Sequence, residues 1–350
     1  MSKNILIGIY VELTNKCNRN CPYCYNDSGN KTQFIDTNDF YKIIDECKEN
    51  NISQITLSGG EPFLHPNIMD FIKYANSVKI FVKIITNLSL ISVNDVVELL
   101  KKGNSIQITL DSPNEKNNDF TRGYGSYNKT LEILNKIKDS NLTDKIFLRM
   151  NLHKKNIDDI DQFIDFSIHY NLKNVAITLL AKTGRGISFP YTYDYNESMI
   201  EIMHIVKKLK AKKNQFSDIL NISYSNLEDQ RGCIIFQNNG LKIIPKIDPY
   251  GNVYFCSYFF GDENILGNIH QSSLLEIINS TKLEKFIKKI RNRPQNNDCI
   301  NCSFNKICLC GCPAVSYMHT NNTQEKNDQC QLIKFFIKDS LKDLMRGKYE

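Results

Sequence analysis

The sequence predicts an α/β protein: six strand-and-helix units with a parallel sheet, followed by a smaller cysteine-rich region. Three observations carry this. β-Rich runs and helical patterns alternate six times before residue 215. The runs are nearly continuous in apolar residues, as expected of strands buried on both faces. Eight of the twelve cysteines fall between Cys233 and Cys330.

The runs, in order, are ILIGIYVEL (5–13), SQITLS (53–58), IFVKIIT (80–86), SIQITLD (105–111), KIFLRMN (145–151) and NVAITLL (174–180). The first helix is expected from Thr37 as N-cap, placing Phe40, Ile43, Ile44 and Cys47 at i, i+3, i+4 and i+7 on one face. Cys47 therefore reads as a core thiol rather than a reactive one. Further helices are expected around 66–76, 93–102, 126–139, 157–170 and 196–213, the last with Met199, Ile202, Met203 and Val206 as its core stripe. An open doubly wound sheet and part of a barrel both satisfy this pattern. Either one gathers ligands at the carboxyl ends of its strands. The distinctive residues are there: Cys17 to Cys24 after the first strand, GGEP (59–62) after the second, Thr86 and Asn87 at the third, Asp111 at the fourth.

Beyond residue 215 the pattern changes, so the expected division is 1–215 and 216–350. A hairpin is expected around LKIIPKIDPYGNVYFCSYF, turning at Asp248 to Gly251. The stretch CINCSFNKICLCGC (299–312) has neither period and buries little apolar surface, which fits a domain held by metal. An amphipathic helix, QLIKFFIKDSLKDLM, closes the chain.

With 350 residues and 41% apolar content, the chain is expected to be soluble and globular. Its start has no signal-peptide pattern and no run is long enough to span a bilayer, so a cytoplasmic location is expected. In a reducing compartment, twelve cysteines point to metal ligands or catalytic thiols. The charge of +6 comes from scattered lysines, and KKLKAKK (207–213) reads as the solvated end of a helix; neither a nucleic acid nor a membrane is expected as partner.

Cys17, Cys21 and Cys24 form C-x3-C-x2-C. A structural metal site takes four protein ligands, whereas three thiolates on a 4Fe–4S cluster leave one iron open for a substrate or cofactor. The competing reading is half a zinc site completed by a distant His or Cys. The motif, with Tyr23 as the aromatic before its last cysteine, resembles the signature of radical S-adenosylmethionine enzymes, and SGGEP resembles their glycine-rich motif. The resemblance implies a partial (β/α)6 TIM-like barrel and a cluster that cleaves S-adenosylmethionine to a 5′-deoxyadenosyl radical. It also implies that backbone groups of Gly59, Gly60 and Glu61 meet the cofactor's amino group and that Tyr23 shields the cluster. Thr86, Asn87, Thr109 and Asp111 would contact its ribose and carboxylate, although each also reads as a polar strand end. His65 and Pro66 read as loop and helix-start residues.

The C-terminal pattern is Cys233-x17-Gly251-x4-Cys256, then Cys299-x2-Cys302-x5-Cys308-x3-Cys312, then Cys330. It resembles the SPASM extension of the same enzymes, which carries two auxiliary 4Fe–4S clusters; a pair of zinc knuckles is the alternative. By resemblance Cys299, Cys302, Cys308 and Cys330 hold the outer cluster, and Cys233, Cys256 and Cys312 the inner one. That leaves the inner set one thiol short. Cys310 is a candidate fourth ligand or a hydrogen-atom donor; otherwise the inner site stays open to a substrate thiolate.

The resemblance therefore implies an oxidoreductase with three 4Fe–4S clusters and S-adenosylmethionine, acting on a ribosomally made peptide or a protein. The expected outcome is a thioether or carbon cross-link, with a flavodoxin- or ferredoxin-like protein as reductant. Alternatives are peptide epimerisation, action on a tetrapyrrole or quinone precursor, and, outside this class, a zinc-held RNA module. Sulfatase maturation ranks low because Ser257 stands where that branch has its aspartate base. Sixteen residues before Cys17 are too few for a leader-recognition domain, so a separate leader-binding protein is a further expected partner. TGRG (183–186) resembles a loop common in these enzymes. Arg185 is its candidate substrate contact, and a plain surface turn is the alternative.

Overall fold

The computed structural model describes residues 5–29, 31–180, 182–224, 242–293 and 297–345. Twelve strands appear among them: β1 (Ile5–Leu6), β2 (Ile9–Thr14), β3 (Gln54–Gly59), β4 (Phe81–Thr86), β5 (Ser105–Thr109), β6 (Ile146–Leu152), β7 (Asn174–Leu179), β8 (Asn221–Ser223), β9 (Lys242–Ile243), β10 (Lys246–Ile247), β11 (Asn252–Tyr254) and β12 (Gly267–Asn268). The helices are α1 (Thr37–Glu49), α2 (Ile68–Ser77), α3 (Val93–Lys101), α4 (Glu115–Arg122), α5 (Ser126–Ile137), α6 (Ile160–His169), α7 (Met199–Gln215), α8 (Leu274–Ile278), α9 (Thr281–Arg291), α10 (Asn297–Ile300), α11 (Asn305–Cys308), α12 (Pro313–Thr320) and α13 (Cys330–Met345).

Ten strands form one sheet in the order β12-β11-β10-β2-β3-β4-β5-β6-β7-β8, parallel from β10 to β8 and antiparallel at the β11 and β12 end. The order does not close on itself, so the barrel is partial. The six expected strands are present, with one difference: Gly8 splits the first run, and β1 pairs separately with β9. The three-residue β8 was missed because it is too short to show a period. Alternate residues Ile9, Val11 and Leu13 of β2, and Ile106 and Ile108 of β5, are buried against the helices. Tyr10, Lys83, Phe147 and Arg149 take the opposite face and line the barrel's interior.

The helices differ in detail from expectation. Asp36, not Thr37, caps α1, because its carboxylate accepts the amide hydrogens of Asn38 and Asp39. Phe40, Ile43, Ile44 and Cys47 form the buried face, and burial pushes the Cys47 thiol up to about 12. The stripe of α7 is Ile202, Ile205, Val206 and Leu209, shifted from the predicted set. Lys208 and Lys212 both reach Asp161 and Lys210 pairs with Asp339 of α13, so the basic run is tied down by carboxylates. Among the described residues no helix is long and apolar enough to cross a membrane.

Candidate active site and cysteine clusters

The loop bearing Cys17, Cys21 and Cys24 leaves β2 at the carboxyl end of the sheet and is fastened from three sides. Its own chain closes it, with the Cys17 amide donating to the Gly29 carbonyl at 2.9 Å and Cys24 to Cys21 at 3.2 Å. From β3, the amides of Gly60 and Glu61 donate to the carbonyls of Thr14 and Lys16 at 2.7 and 2.9 Å. A Cβ on Gly59 or Gly60 would overlap those same carbonyl oxygens, and Gly59 also has φ +120°, so this close approach requires glycine. Among the described residues these contacts leave the Gly60 carbonyl as an acceptor for a ligand's ammonium group, while the Gly59 carbonyl takes Asn26 Nδ2 at 3.5 Å. Cys21 is buried, Cys17 and Cys24 are half-buried, and all three are free thiols.

The third fastening is Arg185: its guanidinium donates to the Cys21 carbonyl at 2.9 Å and the Ser28 carbonyl at 2.6 Å, and pairs with Asp27 at 3.1 Å. Its own amide donates to the Cys24 carbonyl, and Gly184 packs so closely that a Cβ would strike the Cys24 and Tyr25 carbonyls. A planar cation with five donors suits such a set of carbonyls. TGRG is therefore a clamp on the cysteine loop.

Beneath the loop two carboxylates organise the strand ends. Glu61, 1% exposed, accepts from Thr86 Oγ1 at 2.7 Å and from the amides of Asn87 and Phe63 at 2.8 and 3.1 Å. Burial pushes its carboxyl up, and these hydrogen bonds pull the other way. Asn87 in turn aims its amide at Cys17 Sγ and donates to Asn18 at 3.0 Å. Asp111 is fully buried: it accepts from Tyr23 Oη, from Thr121 Oγ1 at 2.7 Å and from the Asn151 amide at 3.1 Å. Asp111 and Thr86 are thus tied into the frame of the site. Tyr23 is buried edge-on against Phe189, and Thr109 is half-buried beside Arg149 of β6.

Arg122, which the sequence reading missed, sits at the end of α4 within the fields of Cys21, Tyr23 and Asp111, whose charges raise its pKa against the opposing effect of burial. Its Nε is buried without a hydrogen-bond partner among the described residues. A buried guanidinium that meets Tyr23 yet keeps an unpartnered Nε, beside a three-thiol loop, fits the carboxylate of a bound amino acid.

The C-terminal cysteines divide into two sets. Cys299, Cys302, Cys308, Cys310 and Cys330 line one cavity of about 260 Å3, together with Lys326 and Lys334, whose charges offset those of thiolates. Cys256 and Cys312 are neighbours elsewhere: burial, and then the Cys312 charge, push the Cys256 thiol up to about 12. Cys233 lies outside the described residues. Cys310, the candidate fourth ligand or hydrogen-atom donor, lies with the outer set. Leu309, Cys310 and Gly311 take φ of 48°, 62° and 69°, a turn that leaves Cys310 in the outer cavity beside Cys299 while Cys312 starts α12. Burial, ahead of Cys299, pushes the Cys310 thiol up to about 12. Between the sets lies Arg293, 7% exposed, donating to the carbonyls of Gly311, Cys310 and Glu325 and to Ser316.

Soft thiol donors in sets of three or more suit iron–sulfur clusters. Among the described residues no three His, Cys, Asp or Glu side chains gather as ligands of a single ion. The residues present fit 4Fe–4S clusters and, at the N-terminal loop, an amino-acid cofactor with a free ammonium and carboxylate.

The model of the Radical SAM superfamily matches residues 11–167, and that of the SPASM iron-sulfur cluster-binding domain matches residues 243–303. The mycofactocin maturase MftC of Mycolicibacterium smegmatis is 25% identical over 312 residues, covering 87% of this chain and 78% of its own. The AdoMet-dependent heme synthase of Methanosarcina barkeri is 22% identical over 338 residues, covering 91% of this chain and 94% of its own. Streptococcus suis SuiB, solved bound to the precursor peptide SuiA, has the same fold, with a TM-score of 0.75 at 18% identity over 94% of this chain and 77% of SuiB. The chain therefore belongs to the radical S-adenosylmethionine enzymes with a C-terminal SPASM domain, and its cofactors are 4Fe–4S clusters and S-adenosylmethionine.

Proposed function

We propose that this enzyme is a peptide maturase that installs a thioether or carbon cross-link in a ribosomally made peptide. The observation that carries the reading is that the cysteine-rich region is joined to the barrel sheet: β10 pairs with β2, and its Lys246 lies 4.0 Å from Glu12. The relatives MftC and SuiB, named for maturation and for a bound precursor peptide, agree with a peptide substrate.

In this reading the barrel extends past the expected boundary at 215 to include β8, the SPASM domain follows it, and the two together hold three clusters. When bound, the N-terminal cluster and S-adenosylmethionine supply a 5′-deoxyadenosyl radical that removes a hydrogen atom from the peptide. Cys17, Cys21 and Cys24 hold that cluster, the carbonyls of Gly59 and Gly60 receive the cofactor's ammonium group, and Arg122 receives its carboxylate. Glu61, Asp111 and Arg185 keep these groups in place and keep water out. Closing a new bond from a peptide carbon radical releases one electron and one proton; Cys256 and Cys312, with Cys233, would hold an auxiliary cluster able to take up that electron. A flavodoxin- or ferredoxin-like protein supplies the initiating electron, and a separate protein presents the leader.

The test is anaerobic incubation of reconstituted enzyme with S-adenosylmethionine, reductant and peptides encoded beside its gene, followed by mass spectrometry. Loss of the mass of two hydrogen atoms, with one deoxyadenosine released per link, is expected. Deuterium uptake without mass loss in light water would make the enzyme an epimerase instead. The near full-length likeness to the heme synthase favours a second reading, a tetrapyrrole enzyme. Conversion of a haem precursor with every peptide untouched would establish it.

A further inference from the structure

The barrel interior contains two cations that no carboxylate answers among the described residues. The interior acid Glu12 is already engaged, 4.0 Å from Lys246 and 3.0 Å from Asn26. Arg149, on β6, has a buried Nε with no hydrogen-bond partner. Lys83, on β4, holds its ammonium 4.0 Å above the ring of Phe147, the inward residue next to Arg149 on the same strand. Burial, and then the charge of Arg149, push the Lys83 amine down, so the two cations repel each other. Thr178 of β7 is 6% exposed with an unpartnered Oγ1, and its strand neighbour is Asn151. Repelling cations and an orphaned hydroxyl inside a barrel describe a polar site built for an anion.

Its place relative to the chemistry follows from the strand. Asn151 is the next inward residue beyond Arg149, about 7 Å along β6. It donates from its side chain to Tyr23 Oη at 3.3 Å and from its amide to Asp111. Arg149 therefore lies one layer beneath the loop of Cys17, Cys21 and Cys24, and its charge also reaches Tyr10 and Tyr258.

We propose that Arg149, backed by Lys83, is the receptor for a carboxylate of the peptide, either an Asp or Glu side chain or the C-terminus, and that this contact sets the modified residue beneath the N-terminal cysteine loop. This rests on the peptide reading above. Guanidinium binds carboxylate through two parallel hydrogen bonds, which fixes direction as well as position.

The test measures binding to the reconstituted enzyme with S-adenosylmethionine present, by saturation-transfer NMR. The probes are acetylated pentaglycine amide, the same amide with a central glutamate, acetylated pentaglycine with a free C-terminus, and propionate. One carboxylate peptide should bind roughly tenfold more tightly than the neutral amide, and the tighter of the two names the source. Arg149→Gln should remove the preference, and Lys83→Met should weaken it; iron content equal to the parent's identifies folded variants. Equal binding of all three peptides with no Arg149-dependent binding of propionate, or a preference that survives Arg149→Gln, overturns the proposal. Arg149-dependent binding of propionate with neither carboxylate peptide preferred keeps the receptor and removes the peptide reading.

Discussion

The two cysteine regions are held in opposite ways. The N-terminal loop is fixed by the sheet: Gly60 and Glu61 donate to it from β3, Arg185 clamps its carbonyls, and Asp111 anchors Tyr23 from β5. The C-terminal region has four-residue helices, α10 and α11, around five thiols in one cavity, with Arg293 as a shared buried cation. On this contrast the first region should keep its order without iron, and the second should depend more heavily on its ligands. A site that must position a cofactor for bond cleavage needs a rigid frame, whereas a site that relays electrons needs mainly thiols within reach.

Removing iron should separate the regions most sharply. Anaerobic chelation should abolish amide protection across residues 297–345 while β2 to β7 keep theirs in hydrogen exchange; equal loss in both would break the comparison. Next in size, Gly60→Ala forces a Cβ into the Lys16 carbonyl. Iron should fall from about 12 to about 8 per chain, with the auxiliary signals intact by electron paramagnetic resonance. Arg185→Met removes three charge-assisted contacts from the loop. The loop should lose roughly 2 kcal/mol, read as faster iron loss from the N-terminal cluster to a chelator.

Arg293→Met takes a positive charge from between the auxiliary sets. Reduction adds negative charge that this cation stabilises, so potentials should become more negative, by roughly 60 mV for a tenfold change in a one-electron equilibrium. The smallest effect belongs to Cys310→Ala. Five thiols line a cavity that needs four, so iron should stay near about 12 per chain. A loss of about four irons would make Cys310 a ligand and Cys308 the spare.

The six strands and the residues at their ends were legible because strand burial and cysteine spacing are local patterns. What the side chains do there was not. Arg185 reaches Cys21 across 164 residues of chain, and Tyr23 reaches Asp111 across 88. Nothing in TGRG distinguishes a clamp from a substrate contact until the two loops are folded together. The same holds for Arg122 and Arg149, each of which has a buried Nε with no hydrogen-bond partner among the described residues. Cys310 shows the limit from the other side. Its spacing suits either set, and three successive left-handed residues decide which cavity it enters.

The pairing of β10 with β2 has one more consequence. Lys246 and Ile247 lie beside Tyr10 and Val11, so the SPASM region enters the barrel sheet as a strand instead of resting on its surface. Main-chain bonds therefore hold the hairpin that leads to Cys256 against the barrel. A chain cut at residue 215 would bare the edge of β2, and its unpaired amides would recruit a second copy.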